Sequence, residues 1–254
     1  MKRLILISLL LCLQSGGYSQ IKNGWWQAAI TPTLGNRIIT YKGEFSAKYK
    51  DSISKADGFR SAIGANIGYH YEISKEERIF IGLQFYNFGF MRKKENLKFL
   101  DTIHPEIGRM FDMSQTGINY VNFMYRYYYA SVPFIYERLI GKTKKVQSYF
   151  QLGGALGGLI SHSIRADLHG FSAQGKKKFI LKNDSEQAAR LMFNLQMGVR
   201  VESVLYDKNS YIFVQPTLYL PILTANYAPE RHHLYALGLE LGVIFKIKKP
   251  EIEM

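Results

Sequence analysis

The stretch Leu191-Met192-Phe193-Asn194-Leu195-Gln196-Met197-Gly198-Val199-Arg200-Val201-Glu202 decides the fold. Its odd positions are all apolar, while its even positions after Met192 read Asn, Gln, Gly, Arg and Glu. Alternation of this length is a β-strand with one apolar and one polar face, and helical spacing does not fit it. The same rhythm runs from Ser61 to Glu72, with Ile63, Ile67, Tyr69 and Tyr71 opposed to Gly64, Asn66, His70 and Glu72. It returns from Tyr235 to Lys246, where Leu237, Leu239, Leu241, Val243 and Phe245 oppose Gly238, Glu240 and Gly242.

Rougher alternation covers residues 25–35, 78–90, 119–137, 147–161 and 211–223, which makes eight strands. Several reach the ~9–11 residues that a strand needs to cross a bilayer. Long connections are expected at 42–59, 91–118 and 163–189, and a shorter one at 224–233. Tight turns are expected at Ser74-Lys75-Glu76-Glu77, around Gly141 and at Asp207-Lys208-Asn209-Ser210. Long loops at one end and short turns at the other are the outer-membrane pattern, and eight is an allowed strand number. The expected fold is therefore all-β, an eight-stranded antiparallel transmembrane up-and-down β-barrel. The polar faces hold Gly, Ala, Asn and Gln rather than Lys and Glu, as a crowded lumen requires. Trp25, Trp26, Tyr69, Tyr71, Phe85, Tyr235 and Phe245 near strand ends are expected to form interfacial girdles.

Composition agrees. The 254 residues are 47% hydrophobic and 14% aromatic, which excludes a disordered chain. After residue 20 no apolar run approaches the ~18–20 residues of a membrane-spanning helix. Lys2 and Arg3, the apolar stretch Leu4 to Leu13, and small residues at Gly17 and Ser19 have the layout of a secretory signal peptide. Residues 1–19 are expected to be the signal and 20–254 the barrel domain. Cleavage would remove Cys12, the single cysteine, and leave a chain suited to an oxidising compartment. Leu11 before Cys12 is too large for a lipobox. The formal charge of +13 falls by two with the signal, and an outer-membrane location excludes nucleic acid as the partner of this basic chain.

Tyr129-Ala130-Ser131-Val132-Pro133-Phe134-Ile135-Tyr136, the basic turn Gly141-Lys142-Thr143-Lys144-Lys145, and Tyr149-Phe150-Gln151-Leu152-Gly153-Gly154-Ala155-Leu156-Gly157 follow one another. This run resembles the PorT-like outer-membrane β-barrel family, with its aliphatic-Pro-aliphatic strand, basic turn and Gly-rich strand. Ser131 departs from it, standing where many relatives carry Glu. The resemblance implies a structural, binding or accessory role, linked in PorT to type IX protein secretion.

Chemical motifs are sparse. Ser161-His162-Ser163 with Asp167 offers a hydroxyl, an imidazole and a carboxylate, which would suit a lipid A-modifying hydrolase or acyltransferase. Adjacent strand residues point to opposite faces, however, so the Ser–His pairs cannot meet while the strand continues. The same objection meets His232-His233 as a metal site. No enzymatic activity, cofactor or metal is therefore expected. An eight-stranded barrel is filled by its own side chains, and parity places Glu72, Arg200, Glu202 and Glu240 in the lumen, with Arg200 expected to pair with one or more of the glutamates. Arg92, Lys93, Lys94, Lys176, Lys177 and Lys178 lie in expected outer loops and are candidate contacts for lipopolysaccharide phosphates. The expected partners are outer-membrane lipid, lipopolysaccharide and an envelope protein, with the barrel itself a monomer.

The expected topology is testable on whole cells. Cysteines replacing Lys94 and Lys177 should react with an impermeant maleimide, and one replacing Lys208 should not; the opposite pattern inverts the barrel.

Overall fold

The computed structural model describes residues 24–41, 57–95, 98–103, 110–112, 120–169, 178–181, 188–205, 209–226 and 230–246. The expected signal sequence lies outside them, as do Lys176 and Lys177. Regular structure among the described residues is entirely β: β1 (Gly24–Tyr41), β2 (Asp57–Gly58), β3 (Arg60–Glu72), β4 (Glu77–Glu95), β5 (Lys98–Ile103), β6 (Met110–Asp112), β7 (Tyr120–Lys142), β8 (Val146–His169), β9 (Lys178–Leu181), β10 (Leu191–Val204), β11 (Ser210–Pro221) and β12 (Glu230–Phe245). The eight long strands pair antiparallel in chain order, from β1 through β3, β4, β7, β8, β10 and β11 to β12. β12 then pairs back onto β1, from Trp26↔Phe245 to Tyr41↔Glu230, and the barrel is closed. Closure removes the free edges that an open sheet would offer to other strands.

Each of the eight stretches expected from alternation corresponds to one of these strands. The loop boundaries differ. β4 runs to Glu95 and β8 to His169, into stretches expected to be loops. The β4 extension, Arg92-Lys93-Lys94-Glu95, is polar on both faces and carries no period-two signal. In β8, by contrast, Ile164, Ala166 and Leu168 still alternate with Ser163, Arg165 and Asp167, but with an inward parity opposite to that of the residues before Ile160. β7 and β8 nevertheless stay paired from Lys142↔Gln147 to Tyr120↔His169. The register shifts twice, beside the turn between Leu139 and Gly141 and higher up between Tyr128 and Tyr129. The second shift is a bulge that reverses the inward parity of β8 beyond Ile160.

The barrel is inverted relative to a water-soluble one. Ile30, Leu34, Ile63, Ile67, Leu83, Phe85, Val132, Phe134, Leu156, Leu195, Leu237 and Leu241 lie exposed on the outer face, Ile63 at 70%. Gln27, Asn66, His70, Gln84, Gln151, Asn194, Gln196, Gln215 and Thr217 are buried inside. Such a continuous apolar exterior is stable only against hydrocarbon. At the turn end Trp26 packs edge-on against Tyr69, centroids 5.5 Å apart, as a girdle requires. Trp25 does not join it. Its odd position in β1 faces the lumen, where it packs on Tyr211 and donates from Nε1 to Glu72 at 2.6 Å.

The Gly-rich centre of β8 exists for β7. A Cβ on Gly153 would collide with the Phe134 carbonyl and approach the Ile135 Cα to 2.7 Å. A Cβ on Gly157 would stand 2.8 Å from that of Ser131. The Gly-rich run of β8 is thus a seam where one strand gives up side chains so that its neighbour keeps them.

One ladder is incomplete. β3 and β4 pair from Glu72↔Arg78 up to Ala65↔Phe85, and pairing resumes only where β2 meets β4 at Gly58↔Met91. Between these points β4 turns inward. Tyr86, Phe88 and Phe90 are buried, and the Gly89 carbonyl comes within 2.8 Å of where a Cβ on Gly35 of β1 would sit.

Ile67, mid-strand on the outer face, reports the surrounding medium. Ile67→Arg should destabilise the barrel by about 2–4 kcal/mol in lipid vesicles, measured by urea titration of the heat-modifiable band. An unchanged midpoint would mean that this face meets water.

Candidate functional site

The lumen is filled in three tiers. Nearest the turns lies a charged tier. Glu137 of β7 accepts from Arg78 Nε and from Gln151 Nε2, and it forms an ion pair with Arg200 Nη1 at 3.2 Å. Glu202 of β10 receives Arg78 through Nη1 and Nη2, and its Oε1 lies 3.8 Å from Arg200 Nη1. Arg78 stacks over Tyr149 at 3.8 Å and Arg200 over Phe213 at 4.3 Å. Two guanidinium groups and two carboxylates thus balance one another, with all four residues buried. Planar guanidinium suits this role, because its donor fork can hold two carboxylates while its face stacks on a ring.

His70 stands on the charged tier. Its Nε2 is 3.0 Å from Arg200 Nη1 and 2.7 Å from Gln27 Oε1. Its Nδ1 lies 3.1 Å from Glu137 Oε2, within ion-pair distance but outside hydrogen-bond geometry. Gln27 Nε2 donates to Asn66 Oδ1 at 2.6 Å, and Asn66 Nδ2 to Glu240 Oε2 at 3.1 Å. Glu240 also accepts from the Tyr219 hydroxyl at 2.7 Å. A polar middle tier follows, in which Gln196 Nε2 donates to Tyr86, Asn194 and Gln84.

The third tier is aromatic. Tyr86, Phe88, Phe90, Tyr127, Tyr129 and Tyr219 form one cluster with Met192, Leu234 and Ala236. Tyr86 and Phe88 stack at 4.9 Å, and Tyr219 meets both edge-on. The even positions of β4, which face the lumen, deliver three of these rings. Above them Asp57 of β2 takes Arg37 Nε at 2.8 Å and Arg92 Nε at 3.1 Å, and Arg37 lies over Phe90 at 3.8 Å.

The residues expected from sequence fall out unevenly. Arg200 and Glu202 meet in the charged tier, though the nearer carboxylate to Arg200 is Glu137. Glu240 accepts its hydrogen bonds from Asn66 and Tyr219, and Glu72 serves Trp25, so neither pairs with Arg200 directly. Arg92 corrects the loop expectation. It sits on the inward parity of β4 and its guanidinium holds Asp57, which removes it from the outer-loop cations. Lys93, on the opposite parity, is exposed and lies 4.4 Å over the Tyr120 ring. Lys94 falls within β4 and Lys178 opens β9, whose partner is β8 at Asp167.

Ser161 and His162 diverge as adjacent strand residues must, Ser161 exposed and His162 stacked on Tyr127 at 5.8 Å. Asp167 accepts from Arg165 at 2.7 Å. His232 contacts Arg37 in the mouth, whereas His233 reaches Thr40 at 3.0 Å. Among the described residues no three of His, Cys, Asp and Glu converge as a metal site would need.

A closed, inverted, antiparallel barrel of eight strands with a polar lumen defines an outer-membrane β-barrel protein, and the chain resides in the outer membrane of a diderm bacterium. Solved structures of that class resemble it: OprG of Pseudomonas aeruginosa (TM-score 0.41, 9% identity, 90% of this chain and 98% of that one), the neisserial surface protein NspA (0.40, 14%, 88% and 97%), and Ail of Yersinia pestis bound to the heparin analogue sucrose octasulfate (0.31, 12%, 87% and 99%). No family profile matches the chain, and no curated protein does.

The charged tier makes an unequal prediction. Glu137→Ala strands Arg78 and Arg200 together and should cost about 3–5 kcal/mol, the usual penalty for breaking a buried pair. Glu72→Ala, at the half-buried turn end, should shift the unfolding midpoint by less than about 1 kcal/mol. Equal midpoints for the two variants in the heat-modified gel assay would refute the tier.

Proposed function

We propose that this chain is a monomeric, non-enzymatic outer-membrane barrel with a binding or secretion-accessory role, of the kind that PorT serves in type IX secretion. The filled lumen carries the reading. Paired charges, an amide tier and a ring cluster succeed one another along the axis, which supports a plug over a water-filled path. Ser161 and His162, facing away from each other, support a non-catalytic barrel over a lipid A hydrolase. The seam of Pro133, Ile135, Gly153 and Gly157 supports PorT-like kinship, since the quoted motif is the packing device itself. With the lumen filled, function belongs to the outer surface and loops. Exposed Lys93, together with Lys94, Lys176, Lys177 and Lys178, supplies point charges for lipopolysaccharide phosphates and for an envelope protein partner.

A deletion strain tests this. Its lipid A mass spectrum should match wild type, while surface delivery of type IX cargo should fall and return on complementation. An altered acyl pattern, restored by wild type but not by His162→Ala, would replace the accessory reading with the hydrolase. In planar bilayers the purified barrel should show no steady conductance; open-channel currents would overturn the plug.

A further inference from the structure

Where the β3–β4 ladder lapses, the outer wall is hollow. The groove there has a volume of about 810 Å³ and opens outward. Exposed Leu34, Ile63 and Leu237 line it, and into it come Asn87 of β4, Arg60 of β3 and Arg126 of β7. Arg126, on the outward parity of β7, is out of place on a wall otherwise made of Ile, Leu and Phe, and Arg60, buried on the inward parity of β3, borders the groove from within. Arg60 is engaged locally. Its Nη1 donates to the Phe88 carbonyl at 3.2 Å. Gly89 makes room, since a Cβ there would stand 2.6 Å from that nitrogen. Arg126 has no such engagement. Its Nε is buried without a hydrogen-bond partner, and its Nη2 lies 4.0 Å from the Met124 sulfur, a weak acceptor. Asn87 Oδ1 is buried and unpartnered beside it. Among the described residues neither arginine has a carboxylate.

Height along the barrel identifies what is missing. On β7 the outward positions read Phe134, Val132, Ala130 and Tyr128 before Arg126; on β4 they read Ile81, Leu83 and Phe85 before Asn87. Arg126 and Asn87 therefore sit directly above the apolar band, at the loop end, where headgroups of the outer leaflet lie. A guanidinium at this depth costs little in itself, but one left without a protein partner faces the phosphates that headgroups carry there. The surroundings fit one occupant: two guanidinium forks for a phosphate, and an apolar trough for a hydrocarbon chain.

We infer that the β3–β4 groove is a lipid site that takes a phosphorylated glycolipid of the outer leaflet, with its phosphate on Arg126 and Arg60 and one acyl chain along Ile63, Leu34 and Leu237. Asn87 Oδ1, left without a donor by the protein, accepts from a sugar hydroxyl. The site is independent of the loop lysines and requires only the outer-membrane location. Its consequence is an anchored orientation: a bound lipid fixes the rotation of the barrel in the leaflet and closes the gap that β4 leaves.

Native mass spectrometry of the delipidated barrel in detergent, titrated with bisphosphorylated lipid A, measures it. Wild type should retain one lipid A per barrel, and Arg126→Gln should weaken retention at least about tenfold, the loss of one charge-assisted contact of roughly 1.4 kcal/mol. Ile63→Trp, which fills the trough and leaves both arginines in place, should reduce it similarly. Arg138→Gln, which removes an exposed guanidinium at the turn end of the same strand, should leave it unchanged, which separates this site from general surface charge. Heat-modified mobility identifies folded variants; should Arg126→Gln not fold, Ile63→Trp and lipid A lacking phosphates decide in its place. Equal retention by wild type and folded variants, equal binding of dephosphorylated lipid A, or displacement of lipid A by millimolar inorganic phosphate would each overturn the proposal.

Discussion

Hydrocarbon offers a backbone amide nothing to bond with, and each unsatisfied group there costs several kcal/mol. The pairing of β12 with β1 answers that constraint, and most of the molecule follows from it. Once the last strand must return to the first, eight strands enclose a lumen only wide enough for side chains. Once the outer face must be apolar, strand geometry delivers every second residue inward, whatever its polarity. Polar residues sent inward must then satisfy one another. The charged tier of Arg78, Glu137, Arg200 and Glu202 is the product: four buried charged residues held by reciprocal forks and ring faces.

The same constraint explains the departures from regularity. The bulge at Ile160 switches the parity of β8, so that His162 turns in to meet Tyr127. The inward course of β4 trades a stretch of ladder for three lumenal rings. It leaves a hollow on the outside that the barrel itself does not fill. Packing inside and vacancy outside are two sides of one displacement.

Strand identity was legible because an apolar medium imposes it residue by residue. Leu191 to Glu202 could be read correctly to the side on which each residue stands, including Asn194, Gln196, Arg200 and Glu202. Glu137 was not legible because Ser131, Pro133 and Ile135 precede it on the inner face of β7, and neither face of that segment is visibly polar. Arg78 follows a turn at once, too early for a rhythm to be set. Trp25 and Arg92 were misplaced because nearness to a strand end does not fix a side, whereas parity does. The groove could not be read at all. Nothing in Phe59 to Gly64 or Tyr86 to Phe90 announces that two neighbouring strands part company, since ladder pairing is a relation between distant segments. Arg126 gave a faint signal as an outward charge after Tyr128.

The rim of the barrel is uneven. β7 and β8 remain paired past the bulge to Tyr120 and His169, whereas β11 ends at Pro221, opposite Asn194. At about 3.4 Å per residue, the eight steps from Tyr128 to Tyr120 add roughly 27 Å of strand on the side formed by β4, β7 and β8. A phage fibre, antibody or neighbouring cell arriving from the medium on that flank would therefore meet a stiff parapet of paired backbone.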